Sequence, residues 1–214
     1  SDKIYRSDAS AFREQYVNAL SHGCIAYHDK YGYSDDVFVK VVFDYGLRKV
    51  TVTDNGMGMQ KSIFSDNFMS FGFSTVDKES NNSRSGMFGL GAISFFRIAS
   101  ACIVESWDRE TEERFTFMTR NTDESEFVAN RTLEDYGTKT EIFLKPNVRI
   151  DSLIHMVQNI AENYPVKTVL ETVNSEQEQS ISTYNDTDGD MYNEYERVEK
   201  FSDFVDKATG GRGV

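Results

Sequence analysis

Two runs, "VFVKVVF" (37–43) and "LRKVTVT" (47–53), alternate apolar and polar residues and are separated only by Asp44, Tyr45 and Gly46. Period-two alternation across a short glycine turn is the pattern of an antiparallel hairpin with one buried face. A lone hairpin is marginal in water, so the apolar side of this one requires more strands and a covering layer. The second run then passes straight into "DNGMGM" (54–59). Two glycines at a strand end ask for a backbone that something else approaches closely.

The remaining segments supply that covering layer. Ser10 to about Tyr27 predicts a helix, with Ala9, Phe12, Tyr16, Ala19, Leu20 and Gly23 at helical spacing and Asp8 or Ser10 as its cap. Lys61–Ser70 reads as a second helix, and the polar "VDKESNNSRSG" after it as a mobile loop. "AISFFRIAS" reads as a short buried helix, and "ACIVESW", "RFTFMT" and "TKTEIFLK" as strands, the last closed by Pro146. Asp151–Asn163 predicts a helix with Leu153, Ile154, Val157 and Ile160 on one side. Strands that mostly follow one another, with helices before, between and after them, give an α+β fold, a two-layer sandwich of one sheet covered on one face by helices. Residues 1–174 are expected to form this domain. From Ser175 to Val214 there are ten acidic and four basic residues, which reads as an acidic tail or a linker to a further domain.

Composition removes several classes of function. The net charge of -12 over 214 residues argues against direct binding of nucleic acid, because phosphates would be repelled. No apolar run approaches the roughly 20 residues that span a bilayer, and the first residues carry no signal-peptide pattern. The chain is therefore expected to be soluble and intracellular, cytoplasmic or nuclear. Cys24 and Cys102 lie far apart in apolar surroundings and are expected to be buried, while His22, His28 and His155 form no zinc spacing.

Four short constellations could carry chemistry. Glu14 and Asn18 share one side of the first helix, so a carboxylate able to orient water stands one turn from an amide oxygen able to bind magnesium; a solvated polar pair has the same spacing. In "DNGMGM", Gly56 and Gly58 leave room for a flat ring, Met57 and Met59 can pack nearby, and Asp54 can accept a hydrogen bond from an amine; a plain turn is the alternative. "SRSGMFGLGAIS" (83–94) leads three glycines into an apolar helix and could present backbone N–H groups to an anion, although a hinge would look alike. "YGTKTEIFLK" sets Thr138 at the mouth of a strand.

Taken in order, these four pieces resemble the motifs of the GHKL ATPase superfamily, which includes topoisomerases, heat-shock chaperones of the ninety-kilodalton class, histidine kinases, and MutL and MORC proteins. "REQYVNAL" resembles the first motif, "DNGMGM" the D-x-G-x-G motif, "SGMFGLGAIS" the glycine-rich phosphate loop and "GTKTEIFLK" the late G-T-K strand, together spanning about residues 9–145. The look is closest to the chaperone, MORC and type VI topoisomerase B branches. One departure is that Leu20, Ser21 and His22 follow Asn18 and Ala19, where the pattern usually continues to an aspartate.

The resemblance implies a Bergerat-type fold, ATP and Mg2+ as cofactors, and an ATP hydrolase. Glu14 would activate the attacking water and Asn18 would bind the magnesium. Asp54 would recognise the adenine amine, with Gly56, Gly58 and Met59 around the ring and Thr138 supporting the contact. Gly86, Met87, Phe88, Gly89, Leu90 and Gly91 would wrap the phosphates, behind a lid at about 73–91. It further implies nucleotide-driven lid closure, an ATP-dependent homodimer and a protein client; a nucleotide-binding switch without turnover is the alternative.

Overall fold

In the computed structural model, which describes residues 2–69, 96–120, 124–174, 176, 179–186 and 200–211, the hairpin forms as its alternation dictates. β1 (Val39–Asp44) and β2 (Lys49–Asp54) pair antiparallel, Val41 opposite Val52 and Phe43 opposite Val50. Val39, Val41, Phe43, Val50 and Val52 are all buried. β3 (Ala99–Trp107), β4 (Arg114–Thr119), β5 (Ser125–Val128), β6 (Gly137–Leu144), β7 (Thr168–Val173) and β8 (Ser180–Tyr184) extend the hairpin on both sides. Among the described residues the result is one eight-stranded mixed sheet in the order β5-β4-β3-β6-β2-β1-β7-β8, antiparallel except for the parallel β1–β7 pair. The register puts Leu170, Val41, Val52, Thr140, Val104 and Phe117 in one row across a single face.

Helices cover that face. α1 (Asp2–Asn18) runs without a break into a π-helix (Ala19–Ile25) and then α2 (Ala26–Tyr31). Phe12, Tyr16, Leu20 and Cys24 are fully buried, Phe12 lies edge-on to Phe43 at 5.9 Å, and the Tyr16 hydroxyl meets Thr168 Oγ1 at 2.6 Å. α4 (Ile150–Asn163) packs beside α1 and buries Ile150, Leu153, Val157 and Ala161. α3 (Lys61–Met69) sets Phe64 among Phe115, Phe117 and Phe127, at 5.0, 5.1 and 6.3 Å, over the β4–β5 end. The α+β sandwich of sheet and helices is thus observed, and both cysteines are buried thiols.

Two features differ from the sequence expectation. The first helix is longer than Ser10–Tyr27 and changes its winding after Asn18. The segment expected as an acidic tail adds β8 and α5 (Phe201–Ala208) to the fold. Among the described residues β8 joins by backbone pairing to β7 alone, with Ile181 exposed, so no alternation marks it in sequence. α5 docks through Phe201, Phe204 and Val205, one apolar stripe in acidic surroundings, with Phe201 against His28 at 4.5 Å. His28 is buried, and burial lowers its pKa to about 4.

The other face of the sheet carries a buried carboxylate. Glu105 accepts hydrogen bonds from Thr132 N–H (2.8 Å), Leu133 N–H (2.7 Å) and the Arg114 guanidinium (2.7 Å), and so ties the β5–β6 connection to the sheet. Burial alone would raise its pKa, but the bonds from Leu133, Arg114 and Thr132 outweigh burial and hold it below the ordinary carboxylate value. Removing it strands two backbone donors and a cation, so Glu105→Ala should cost about 3 kcal/mol in a urea melt at pH 7. A depressed folded pKa contributes stability that is full above the unfolded value and lost as pH falls through the folded one. The parent should therefore lose this contribution on acidification below about pH 4.5, and the variant should show a flatter acid limb. A melt unchanged by the substitution would remove the tethering role.

Candidate functional site

The end of β2 delivers Asp54 to a row of polar side chains on the helix-covered face. Asp54 lies opposite Thr138 of β6, and Thr138 opposite Ser106 of β3. The Ser106 hydroxyl lies 2.8 Å from Thr138 Oγ1, donates to the Gly137 carbonyl at 3.2 Å and accepts the Met59 N–H at 2.9 Å. Ser106 therefore fixes both the mouth of β6 and the far end of the "DNGMGM" loop. Nothing in "ACIVESW" marks this serine in advance, because its partners come from strands distant in sequence.

The π-helix presses on this loop from the helical side. A side chain at Gly23 would place a Cβ 2.5 Å from the Asp54 carboxyl carbon, and one at Gly56 would meet the Gly23 carbonyl at 2.1 Å. The Gly23 carbonyl accepts the Met57 N–H at 3.2 Å. Gly58 has φ +69° and would run into the Trp107 carbonyl at 2.0 Å, while Gly137 would run into that of Asp54. Where the sequence suggests room for a ring, the space around Gly56 and Gly58 is filled on the Cβ side by protein backbone. These glycines let helix, loop and sheet close on one carboxylate.

Asp54 is 4% exposed and accepts the Gly56 N–H at 3.0 Å. Burial pushes its pKa up to about 7, against the opposing pull of the Gly56 and Thr138 N–H groups and the Arg109 charge. A carboxyl poised between its two forms at neutral pH, in a strand-end recess, is the kind of group that meets a ligand. Met57 and Met59 stand half-buried in the same loop.

Glu14 and Asn18 lie upstream on the same continuous helix. Both are half-buried among Phe12, Tyr16 and Val17, which are buried. At 1.5 Å per residue Asn18 lies roughly 7 Å and Glu14 roughly 13 Å along the axis from Gly23, an extended-ligand length from the Asp54 recess. Burial raises the Glu14 pKa above its ordinary value, with Arg13 opposing. The structure brings Asp54, Gly56, Gly58, Met59 and Thr138 together, and sets Glu14 and Asn18 along the helix that touches them. Gly86, Met87, Phe88, Gly89, Leu90 and Gly91, and the lid expected at 73–91, lie outside the described residues.

The mixed sheet, its helical layer and the aspartate and glycine loop at the strand ends agree with the fold that the sequence resemblance implies. Residues 18–143, more than half the chain, match the family described as "Histidine kinase-, DNA gyrase B-, and HSP90-like ATPase", and the chain belongs to this family. Asn18 opens the matched stretch and Glu14 lies just before it. Among curated proteins the chain is similar to the chaperone protein HtpG of Bacillus velezensis, 26% identical over 180 residues that cover 78% of this chain and 26% of the relative. The HtpG proteins of Wolbachia pipientis wMel (27% identical; 67% of this chain, 25% of the relative) and Helicobacter pylori (24%; 80% and 28%) match likewise. The chain spans about a quarter of the length of these relatives. Of the branches that the sequence resembles, the similarity to HtpG supports the chaperone branch. Among the described residues no helix is long and apolar enough to cross a membrane.

Proposed function

We propose that this chain binds ATP with Mg2+ and hydrolyses it slowly, as the nucleotide-binding domain of a larger, intracellular chaperone-like machine. The observation that carries the reading is Asp54, a buried carboxyl at a strand end, flanked by Thr138, faced by Gly23 and bonded by the Gly56 N–H. In its ionised form it accepts the exocyclic amine of adenine, and the recess excludes water that would compete for that bond. Met59 packs on the ring, Thr138 supports the amine contact, and Gly86–Gly91 embrace the phosphates. Mg2+ would be held by Asn18 together with phosphate oxygens, where it neutralises charge.

Glu14 holds the attacking water by its carboxylate and takes up its proton as the water oxygen bonds to the γ-phosphorus and the bond from that phosphorus to the β–γ bridging oxygen breaks, so that ADP and phosphate leave. Burial raises its pKa above the ordinary carboxylate value, which makes the carboxylate a stronger base toward that proton. Lid closure over the nucleotide, dimerisation in the ATP state and action on a protein client complete the proposal. In it residues 1–174 carry the nucleotide site, β8 and α5 of the 175–214 segment pack onto the same unit, and a further domain completes the machine.

Binding is tested by melting. ADP with Mg2+ at ~100 times its dissociation constant should add ~2.7 kcal/mol, roughly 5–10 °C for a chain of this size. Release of labelled phosphate from ATP then tests turnover. No shift with millimolar ATP or ADP would overturn the nucleotide reading, while ATP that stays bound and intact for hours would leave a switch in place of an enzyme.

A further inference from the structure

The turn between β3 and β4 carries a cation that neither the family motifs nor the proposed chemistry uses. Asp108–Glu113 is a firmly built turn: the Asp108 carboxylate accepts Thr111 N–H (2.8 Å) and Oγ1 (2.6 Å), and Asp108 N–H reaches the Glu113 carbonyl (2.8 Å). From it Arg109 projects over the "DNGMGM" loop. Its backbone N–H donates to the Met57 carbonyl (2.9 Å), Nε to the Gly56 carbonyl (3.1 Å) and Nη2 to the Asn55 carbonyl (2.9 Å). Three successive carbonyls thus point to one residue. The guanidinium lies over the rings of Tyr27 and Tyr136, 4.8 and 4.7 Å from their centroids. Tyr136 is itself held by the Glu112 carboxylate at 2.6 Å, and α2 reaches the same turn through the Lys30–Glu110 ion pair.

The peptide unit between Asn55 and Gly56 shows what this arrangement accomplishes. Its carbonyl is held by Arg109 Nη2, and its N–H is the donor to Asp54 Oδ1. The next peptide is held in the same way, its carbonyl by Nε and its N–H by the Gly23 carbonyl. A peptide plane fixed at both ends cannot rotate, so the hydrogen bond that sets the direction of the Asp54 carboxyl is set in turn by Arg109. The charge also draws electrons from the carbonyl oxygen and strengthens the N–H as a donor. Only a planar cation can present two edge donors to carbonyls while it lies against two aromatic rings, so lysine is no equivalent here.

We propose that Arg109 is the positioning residue of the nucleobase site: it locks the Asn55–Gly56 and Gly56–Met57 peptides so that Asp54 faces the base, and thereby sets the preference for adenine. The role rests on the nucleotide reading above. In this role Arg109 acts through the loop carbonyls that it holds.

The test compares ADP and GDP binding, each with Mg2+, by calorimetry on the parent chain, Arg109→Lys and Arg109→Gln. Arg109→Lys retains charge and part of the stacking, which guards against simple loss of the fold. The parent should prefer ADP, and both variants should lose at least about tenfold in ADP affinity while GDP changes little, so that the ratio narrows. A residue that merely supported the fold would weaken both nucleotides together and leave the ratio intact, and that result would overturn the proposal. Unchanged ADP affinity in both variants would overturn it as well. Parent protein that binds no ADP would remove the nucleotide reading and this role with it, whereas an adenine-selective parent with indifferent variants would remove the role of Arg109 alone.

Discussion

Glu14→Ala should leave ATP bound and its hydrolysis lowered by about 100- to 10,000-fold, the range that a positioned general base contributes. The side chain stands half-buried on α1, and no hydrogen bond or ion pair ties it to another described residue, so its carboxylate is available to a water. It supports no core contact of the kind that Tyr16 makes, and its loss should move the melting temperature little. Single-turnover measurement with labelled ATP, beside a binding isotherm, separates the two effects. A variant that turns over at the parental rate would end the assignment, and loss of binding with hydrolysis would recast Glu14 as part of the binding surface.

Asp54→Asn should weaken nucleotide binding by roughly 10- to 100-fold, the equivalent of a hydrogen bond to a charged acceptor. The amide can accept on one side only, and its NH2 then opposes either the Thr138 N–H or the arriving amine. The parent should also show a pH dependence that the variant lacks. Its Asp54 has a folded pKa of about 7, and the adenine amine needs the ionised form, so affinity should tighten from pH 6 to pH 8 with release of a proton. The sign for the free protein is the reverse of that for Glu105. A carboxyl whose folded pKa is raised contributes stability at low pH that is lost as pH rises from the ordinary value of 3.8 through about 7. Calorimetry in buffers of different ionisation enthalpy reads the proton count directly. Affinity that is flat between pH 6 and pH 8 would show that Asp54 does not meet the base as a carboxylate.

Much of this was legible in the sequence because it is local. The alternation in "VFVKVVF" and "LRKVTVT" encodes a buried face, and the hairpin closes with Val41 against Val52 as that alternation requires. Asp54, Gly56 and Gly58 could be singled out because a strand followed by alternating glycines is informative within a few residues. What escaped is long-range or weakly patterned. Ser106 and Arg109 lie in a strand and a turn that read as ordinary, and they gain their roles only when β3 pairs with β6 and its turn folds over the loop. Phe201 sits in an acidic stretch whose charge masks a three-residue apolar stripe, and it becomes core only through His28 and Tyr33. Gly23 fits the apolar stripe of the helix, yet its function is to have no side chain in front of Asp54.

The change of winding after Asn18 has a consequence for the angular phase of the long first helix. A π-helix closes each ring one residue later than an α-helix and so turns less per residue. Across Ala19–Ile25 the accumulated lag is on the order of a third of a revolution relative to plain α winding. Glu14 and Asn18 before the segment, and Tyr27 and His28 after it, therefore point in directions that no uniform helix of this sequence could hold at once. Deleting one residue between Ala19 and Cys24 would let the segment rewind to α geometry with the two halves near their present angle, because one α residue turns about 100° and nearly cancels the lag. Rewinding the same residues without a deletion would instead turn Glu14 and Asn18 by that third of a revolution relative to Tyr27 and His28.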